Sequence, residues 1–369
     1  MMAARQPVAG RLPDFPWDTI LDARNRAQNH VDGIVDLSMG TPIDPTPEVA
    51  REALAAATES PGYPLTSGTV EFRQAVVDYL HRRFRIKGLT VDHVLPLVGS
   101  KEFISGLPTQ LGLGPGDVVA IPQLAYPTYE VGARVAGCDV MASRSTVSFG
   151  PIAPKLYFIN SPANPHGKIY GADHMRKILS WARERGTIVA SDECYLEFAW
   201  DAKPVSMLDE QVCEGNFDGI ISIHSLSKRS NLAGYRIGFA VGDPKLIAEL
   251  LEARKHLGLM LPGPMQKAAI AVLNDDAHVD EQIARYRERR VVLGAALQDA
   301  GFTIDDSEGS LYLWATRGEN CRVTLDWLAD RGILVAPGDF YGSAGANHVR
   351  FALTASDERI NAAAARLAQ

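Results

Sequence analysis

The chain of 369 residues is 46% hydrophobic and 22% charged, and it carries a formal net charge of −7. Because this length exceeds what a single hydrophobic core usually supports, we expect two domains or one elaborated domain. The acidic balance argues against a nucleic acid or a membrane surface as a partner.

The N-terminal residues 1–45 contain no strand pattern before the apolar run 34–37, and we expect them to pack against a second, smaller domain. Residues 1–10 show neither the apolar core nor the cleavage site of a secretory signal. No apolar run in the sequence approaches membrane-spanning length. The sequence therefore predicts a soluble, cytoplasmic protein.

Residues 46–261 alternate helical patterns with short apolar runs, and we assign them to a large domain. Helices are predicted at residues 47–58, 69–85 and 172–185, the first with a proline at its start. Strands are predicted at residues 94–98, 118–121, 156–159, 188–191, 220–223 and 237–241. Most of these strands are continuously apolar, as strands covered by helices on both faces are, so we predict an α/β domain with a mostly parallel sheet between helices.

From residue 262 to residue 369 the pattern changes. Helices are predicted at residues 265–273, 277–300 and 324–330 and at the C-terminus, with strands at 311–315, 333–335 and 348–353. Helices outside a small, partly antiparallel sheet indicate a smaller α+β domain.

The four cysteines, at positions 138, 194, 213 and 321, lie far apart in the sequence. They form no C-x-x-C pair, and no histidine spacing typical of zinc accompanies them. We therefore expect reduced thiols, as in the cytoplasm, and no metal site.

Polar residues follow the predicted strands, at the end where an open parallel sheet binds ligands. Gly99-Ser100-Lys101-Glu102 opens a helix after the first of these strands. Exposed N–H groups there favour a phosphate, although such residues are also an ordinary helix cap. Tyr126 precedes a proline-initiated helix, where a tyrosine either lies flat over an aromatic ring or packs in the core.

Two further strands are followed by amide and carboxylate side chains. Asn160 and Asn164 belong to a proline-containing loop that aims amides at the strand ends, although N-P-x-G is commonly just a turn. Asp192 ends a buried strand, where a carboxylate needs a partner. A protonated pyridine nitrogen would serve, with the Tyr195 hydroxyl on the ring oxygen. A salt bridge or a metal ligand is the alternative, but no histidine lies nearby in sequence.

The segment 225–238 is the most informative part of the chain. Lys228 follows a buried strand, and a buried ammonium is unfavourable unless it is paired or neutralised. A desolvated lysine is suited to imine formation with an aldehyde cofactor. Ser225, Ser227 and Arg236 are donors that a cofactor phosphate would use. The alternative is a surface lysine in a polar loop, and the polar groups after four other strands argue against it.

Together these motifs resemble the fold-type-I pyridoxal-phosphate (PLP) aminotransferases of class I/II over essentially the whole chain. The run S-L-S-K-R-S-N-L-A-G-Y-R at 225–236, Pro16-Trp17-Asp18, and A-P-G-D-F-Y-G at 336–342 resemble the N-succinyldiaminopimelate aminotransferases of lysine biosynthesis, especially their actinobacterial form. The resemblance implies PLP as cofactor and the aspartate aminotransferase-like fold of the PLP-dependent transferases.

The resemblance also implies roles for the cofactor-binding residues. Lys228 would form the imine with the cofactor and then move the substrate proton, while Asp192 would pair with the ring nitrogen. Tyr195 and Asn164 would bond the phenolic oxygen of the ring, and Tyr126 would stack on its face. The implied phosphate ligands are Ser100, the backbone of Lys101, Ser225, Ser227 and Arg236.

The substrate and partner contacts follow from the same resemblance. Arg350 matches the arginine that grips the substrate α-carboxylate, and Gly40 matches a backbone contact to that carboxylate. Asn164 is also assigned to the substrate-binding residues. Tyr63 matches the tyrosine that reaches the phosphate from the neighbouring subunit, which implies a homodimer with composite sites. Two residues depart from the family pattern. His166 replaces the usual threonine, with little expected loss, and Lys101 replaces a small residue.

The implied reaction is transamination of N-succinyl-LL-2,6-diaminopimelate, with glutamate and 2-oxoglutarate as amino donor and acceptor. This long, doubly acidic substrate needs a second cation beyond Arg350, and the candidates are Arg229, Arg24 and Lys255. The alternatives are an aspartate or LL-diaminopimelate aminotransferase, a PLP-dependent carbon–sulfur β-lyase, and the effector-sensing domain of a transcription regulator. The last is disfavoured because no basic helix-turn-helix precedes the fold in this sequence.

Overall fold

The structure, a computed structural model, describes residues 7–369. Its strands are β1 (Val35–Asp36), β2 (Val94–Leu97), β3 (Val118–Pro122), β4 (Asp139–Ser143), β5 (Leu156–Asn160), β6 (Ile188–Asp192), β7 (Ile220–Ser225), β8 (Gly238–Gly242), β9 (Thr303–Asp305), β10 (Tyr312–Thr316), β11 (Ile333–Leu334), β12 (Ala336–Pro337) and β13 (Val349–Ala352). Its α-helices are α1 (Leu21–Gln28), α2 (Glu48–Ala56), α3 (Val70–Phe84), α4 (Ser100–Gln110), α5 (Thr128–Ala136), α6 (Ala172–Glu184), α7 (Glu210–Cys213), α8 (Leu226–Arg229), α9 (Pro244–Leu257), α10 (Gly263–Leu273), α11 (Ala277–Asp299), α12 (Cys321–Asp330) and α13 (Asp357–Leu367).

A seven-stranded sheet with the order β2-β8-β7-β6-β5-β3-β4 carries the first half of the chain. All of its strands run parallel except β8, which is antiparallel to both of its neighbours. The predicted α/β class with a mostly parallel sheet is confirmed. The sequence pattern missed β4 because this edge strand is partly exposed and has no continuous apolar run.

The direction of β8 decides which residues meet at one edge of the sheet. Strand β2 runs in the same direction as β7, because both pair antiparallel with β8. The carboxyl ends of β2, β3, β5, β6 and β7 therefore lie at the same edge, and β8 begins there. Gly238 pairs with both Leu97 and Ser225, so the residue just before β8 arrives next to the ends of β2 and β7.

Helices cover both faces of this sheet and bury its alternating side chains. In β7, Ile220 packs into the core on one face, while Ile221 and Ile223 pack into the core on the other. Full burial of such a side chain contributes about 1.5–3 kcal/mol. The continuously apolar strands thus reflect two cores that share one sheet.

A second set of strands forms from the C-terminal part of the chain. The four-stranded sheet β12-β13-β10-β9 is antiparallel throughout, and β1 forms a separate parallel pair with β11. Residues of α1 and β1 share one hydrophobic core with α11, α12 and α13. Strands β9 and β12 were not predicted, because two or three residues are too few for a periodic pattern.

The boundaries of the predicted helices agree with the observed ones to within a few residues. Helix α12 begins earlier than predicted, because the Asn320 side chain accepts a hydrogen bond from the Arg322 N–H and caps it. Of the helices of eight or more residues, α1 and α9 were not predicted. Within residues 7–369, no helix is both long and apolar enough to cross a membrane.

Candidate active site

A cavity of about 1530 Å³ lies at the carboxyl edge of the seven-stranded sheet. Its walls combine residues that follow the strands with residues of the N-terminal segment and of the small sheet. Twelve of the thirteen predicted site residues line it: Gly40, Ser100, Lys101, Tyr126, Asn164, Asp192, Tyr195, Ser225, Ser227, Lys228, Arg236 and Arg350. Tyr63 does not; its side chain is 96% exposed in the single subunit.

Lys228 lies in α8, a single helical turn directly after β7. The Ser225 side chain caps this turn by accepting a hydrogen bond from the Ser227 N–H at 3.2 Å. The Lys228 Nζ donates to the carbonyl of Gly40. Burial, assisted by the positive charge of Arg350, lowers the pKa of Lys228 to about 8. The amine can therefore act as a neutral nucleophile or base close to neutral pH.

Asp192 is the last residue of β6, and it is buried with both carboxylate oxygens engaged. The Tyr129 hydroxyl donates to Oδ2 at 2.7 Å, and the Cys194 N–H donates to Oδ1 at 3.2 Å. Burial raises the pKa of Asp192, and these donors partly offset the rise. Tyr129 was not predicted as a site residue. It lies in the first turn of α5, three residues after Tyr126.

Arg350, on β13, forms a hydrogen-bonded pair with the loop after β5. Its Nη1 donates to Asn164 Oδ1 at 2.8 Å, and its Nη2 donates to the Ser38 carbonyl at 2.7 Å. The side chain of Asn160 holds this loop by accepting from the Asn164 N–H at 2.6 Å. The buried Arg350 Nε has no hydrogen-bond partner among the described residues. A guanidinium that still has a donor to place is suited to an incoming carboxylate.

Gly99 and Arg236 form the part of the cavity next to the start of α4. Gly99 has a φ of +80°, and a Cβ at this position would lie 2.8 Å from the Arg236 Cζ. Only glycine lets the guanidinium lie this close to the helix start. Arg236 reaches it because it lies two residues before the antiparallel strand β8, and its Nη1 donates to the Ala233 carbonyl at 2.9 Å.

Tyr312 is a cavity residue that the sequence pattern did not reveal. Its hydroxyl lies 2.8 Å from the Tyr195 hydroxyl, and the Arg350 Cζ lies 3.9 Å from its ring centroid. A Cβ at Gly40 would collide with this ring, so Gly40 cannot be replaced without moving it. In the sequence Tyr312 reads as an ordinary core residue of a strand, which leaves no local signal.

The three candidates for a second substrate cation differ in position. Arg24 lines the cavity. Arg229 does not, because its buried guanidinium pairs with Glu197 at 3.2 Å and donates to the Val272 carbonyl at 2.8 Å. Lys255 lies on α9 and pairs with Glu252 on the same helix. Neither Arg229 nor Lys255 therefore lines the cavity of the single subunit, whereas Arg322, which was not predicted, does.

The two departures from the family pattern lie in different surroundings. Lys101 is exposed and lines the cavity. His166 is buried outside the cavity lining, and burial lowers its pKa to about 4.

Comparison with known proteins identifies the family. Residues 32–367 match the family model described as aminotransferase class I and II. A curated relative described as a probable aminotransferase, from Mycobacterium tuberculosis, is 57% identical over 99% of this chain and 87% of the relative. The 4-dedimethylamino-4-oxo-anhydrotetracycline transaminase OxyQ of Streptomyces rimosus is 54% identical over 96% of this chain and 99% of its own length. An LL-diaminopimelate aminotransferase of Dehalococcoides mccartyi is 34% identical over 94% of this chain and 93% of its own length.

Solved structures share the fold over nearly the whole chain. An aspartate aminotransferase of Thermotoga maritima has a TM-score of 0.89 at 22% identity and covers 99% of both chains. A structure described as a probable N-succinyldiaminopimelate aminotransferase of Thermus thermophilus has a TM-score of 0.86 at 27% identity, over 96% of this chain and 99% of that chain. The fold is thus that of the aspartate aminotransferases.

Class I and II aminotransferases of this fold use pyridoxal 5'-phosphate. The cavity residues fit that cofactor. A lysine with a lowered pKa suits the cofactor aldehyde, and a buried carboxylate suits the ring nitrogen. Several hydroxyl and guanidinium donors suit the phosphate. By its family match, its relatives and its fold, this chain belongs to the class I and II aminotransferases.

Proposed function

We propose that this enzyme transaminates N-succinyl-LL-2,6-diaminopimelate, with 2-oxoglutarate as amino acceptor. The observation that carries the proposal is the cavity of about 1530 Å³. Besides Arg350, and Arg236 with its proposed role at the phosphate, two further arginines line this cavity, Arg24 and Arg322. An α-amino acid with a long acidic side chain needs both that volume and that charge. The likeness to the Thermus thermophilus structure described as a probable N-succinyldiaminopimelate aminotransferase supports the proposal.

The proposed chemistry centres on Lys228. When bound, PLP supplies an electron sink for the negative charge that develops at the substrate α-carbon. Lys228 Nζ would hold the cofactor through its aldehyde carbon. Once the substrate amine has displaced it, the freed amine, whose pKa burial lowers to about 8, would take the α-proton as a neutral base. Asp192 would hold a positive charge at the ring nitrogen, and the Tyr195 hydroxyl would donate to the ring oxygen.

The remaining residues bind and orient. Arg350 grips the substrate α-carboxylate through its fork, next to the backbone of Gly40. Asn164 holds the Arg350 guanidinium by its Nη1 at 2.8 Å, so the fork keeps its direction before the substrate arrives. Tyr126 covers the cofactor ring. The phosphate would be held by donors at the start of α4, at the junction of β7 and α8 and just before β8, namely Ser100, the backbone of Lys101, Ser225, Ser227 and Arg236.

We further propose three functional parts: residues 46–261 as the cofactor-binding domain, residues 262–369 as a smaller domain, and residues 1–45 as a segment that packs on the smaller domain. The supporting contact is the Arg350–Asn164 hydrogen bond, which joins a residue of the smaller part to the cofactor-binding part. A second supporting contact connects the N-terminal segment to the smaller domain. The Asp44 carboxylate, in residues 1–45, accepts hydrogen bonds from Nη1 and Nη2 of Arg289, in residues 262–369, both at 2.7 Å. A substrate bound between Arg350 and Lys228 would contact both parts at once.

Members of this family are typically dimeric, and we propose a homodimer in which Tyr63 reaches the cofactor phosphate of the partner. Tyr63 is 96% exposed, and Leu65 and Val70 close to it are 70% and 58% exposed. Exposed apolar side chains within one short segment of the cofactor-binding domain are what a subunit interface would cover.

We propose the cytoplasm as the compartment. The four cysteines, all within the described residues, are free. Free thiols suit a reducing compartment.

A second candidate substrate is a polycyclic ketone, as in the name of OxyQ, a 4-dedimethylamino-4-oxo-anhydrotetracycline transaminase that is 54% identical to this chain. The structural observation in its favour is an aromatic wall in the cavity. The ring centroids of Phe15 and Trp17 lie 5.8 Å apart, and those of Trp17 and Phe340 lie 5.4 Å apart. Such a wall can pack against a flat polycyclic substrate.

A half-reaction panel tests the proposal. The PLP-loaded enzyme is mixed with one amino donor at a time, and conversion of the cofactor to its amine form is followed by absorbance. The panel contains N-succinyl-LL-2,6-diaminopimelate, LL-diaminopimelate, glutamate, aspartate and aromatic amino acids. We expect the N-succinyl compound to convert the cofactor with the highest specificity constant. No conversion by that compound, alongside conversion by an aromatic amino acid, would contradict the proposal.

The panel also separates the competing reactions. A carbon–sulfur lyase would release ammonia and a keto acid from a cysteine conjugate without accumulating the amine form of the cofactor. The OxyQ-type alternative predicts that, after loading with glutamate, a polycyclic ketone returns the cofactor to its aldehyde form faster than 2-oxoglutarate does.

A further inference from the structure

We propose that Arg24 and Arg322 together form a distal anion site, which selects substrates with a second carboxylate remote from the reacting amino group. The inference rests on the proposed function, and it identifies the two cations that would bind the acidic side chain of the proposed substrate. The ligand class is an α-amino acid or 2-oxo acid with one or two carboxylates at the far end.

The two arginines come from neighbouring helices that face the cavity. Arg24 lies on α1, and Arg322 lies in the first turn of α12, which packs beside α1. Arg322 Nη1 donates to the Thr19 carbonyl at 3.2 Å, which ties α12 to the segment just before α1. Its Cζ lies 5.4 Å from the ring centroid of Phe340, so the guanidinium packs against this ring. Both arginines line the same cavity as Arg350.

Each of these arginines has a carboxylate partner that a ligand can replace. Arg24 pairs with Asp36 at 3.2 Å, with side chains 29% and 32% exposed, and Arg322 pairs with Asp339 at 2.7 Å, with side chains 37% and 35% exposed. Ion pairs in contact with water contribute little to stability, so opening one of them to admit a ligand carboxylate costs little. The buried pair Arg229–Glu197, with side chains 3% and 6% exposed, has no such freedom.

A short polar chain connects Arg24 to the arginine that would grip the α-carboxylate. Asp36 Oδ1 accepts from the Ser38 N–H at 2.9 Å and from the Ser38 hydroxyl at 2.6 Å. The Ser38 carbonyl in turn accepts from Arg350 Nη2 at 2.7 Å. Arg24 and Arg350 therefore stand at the two ends of one backbone segment. A substrate lying along this segment can place one carboxylate at each end, and Arg322 offers a place for a third.

The test compares two ligands of equal length that differ in one carboxylate, pimelate and heptanoate. Their dissociation constants are measured by calorimetry on the PLP-loaded enzyme. The wild type is compared with the double variant Arg24→Gln/Arg322→Gln. The matched control is Arg26→Gln, because Arg26 is an exposed arginine on the same helix that pairs with Asp326 on α12 and lies outside the cavity lining.

We expect the wild type and Arg26→Gln to bind pimelate roughly 10- to 100-fold more tightly than heptanoate, the range expected for charge-assisted hydrogen bonds. The double variant should bind both ligands equally, with heptanoate affinity unchanged, which also shows that its fold is intact. Asp339→Asn should strengthen pimelate binding, because it frees Arg322; a misfolded variant could not produce that gain.

Equal binding of pimelate and heptanoate to the wild type would overturn the inference, whichever amino acid the enzyme converts. A preference for pimelate that survives in the double variant would overturn it as well. If the preference depends on the two arginines but N-succinyl-LL-2,6-diaminopimelate is not converted, the proposed function fails and the distal anion site stands.

Discussion

The Tyr129 hydroxyl donates a hydrogen bond of 2.7 Å to the carboxylate of Asp192, inside the protein and at the end of β6. Burial raises the pKa of this carboxyl, and the Tyr129 hydroxyl and the Cys194 N–H act in the opposite direction. Tyr129 thus keeps a buried carboxylate closer to its ionised form. In the proposed mechanism that ionised form holds the protonated ring nitrogen, so Tyr129 acts as a positioning residue.

Replacing Tyr129 by phenylalanine should lower kcat about tenfold, the effect expected for losing one hydrogen bond to a charged group. The ring stays, because it stacks on Phe158 at 4.8 Å. Without the donor the pKa of Asp192 rises, so the acidic limb of the pH–rate profile should move to higher pH. The control is Tyr157→Phe, in the core on the other face of the sheet. An unchanged acidic limb in Tyr129→Phe would count against this role.

Replacing Lys228 by alanine should lower the turnover rate by a factor of about 10²–10⁴ or more, because this residue is proposed to move the proton. It should also abolish covalent attachment of the cofactor. Mass spectrometry after borohydride reduction measures that attachment directly. The control, Lys255→Ala, removes an exposed lysine on α9 and should leave both readouts intact. Normal turnover or a reducible adduct in Lys228→Ala would refute the assignment.

The rate of PLP attachment to the apoenzyme should rise with pH and level off above about pH 8. Only the neutral amine is nucleophilic, and burial, with help from Arg350, lowers the pKa of Lys228 to about 8. Arg350→Gln removes a nearby positive charge, so the midpoint should then move to higher pH. Stopped-flow absorbance measures the rate. A midpoint that stays fixed in Arg350→Gln would show that the two side chains are not coupled.

The lowered pKa of Lys228 also has a consequence for the stability of the apoenzyme. Between pH 8 and the ordinary lysine pKa, the unfolded chain binds a proton that the folded chain does not. Stability of the apoenzyme from this group should therefore rise with pH across that range, and the Lys228→Ala apoenzyme should lack this rise. Denaturant unfolding at several pH values provides the measurement.

Replacing Tyr63 by alanine should weaken retention of PLP roughly tenfold or more, the range expected for one hydrogen bond to a charged group. In the single subunit its side chain is 96% exposed and lies outside the cavity lining, so only a contact from a partner subunit explains such an effect. Equilibrium dialysis gives the cofactor affinity, and size-exclusion chromatography gives the assembly state. Tyr63→Ala with full PLP affinity in an intact dimer would exclude the composite site.

Replacing His166 by threonine should leave kcat near the wild-type value, since His166 does not line the cavity. Burial lowers its pKa to about 4, while Asp306 opposes the shift and Lys168 and His348 reinforce it. Between the ordinary histidine pKa and about pH 4, the unfolded chain binds a proton at this residue that the folded chain does not bind. The free energy of unfolding therefore falls as the pH drops toward 4. His166→Thr should reduce this fall by up to about 1.4 kcal/mol per pH unit. His256→Thr, at an exposed site, should not; equal acid sensitivity in both variants would contradict the explanation.

The order of polar residues along the chain was visible in the sequence, because it depends on local patterns. Strands β5, β6 and β7 are buried on both faces and so read as apolar runs, and each is followed by a polar residue at the ligand-binding edge. Lys228, Asp192 and Asn164 could therefore be selected as site residues before any coordinates, and the structure brings all three to one cavity.

Contacts between distant parts of the chain were decided only by the tertiary structure. The antiparallel direction of β8 places Arg236 beside Gly99, and neither residue carries a sign of that direction. Tyr129 reaches Asp192 and Tyr312 reaches Tyr195 across more than sixty residues of sequence. Arg24 and Arg229 look equally basic in the sequence. One faces the cavity and the other is buried against Glu197, because burial depends on which helices pack together and not on residue type.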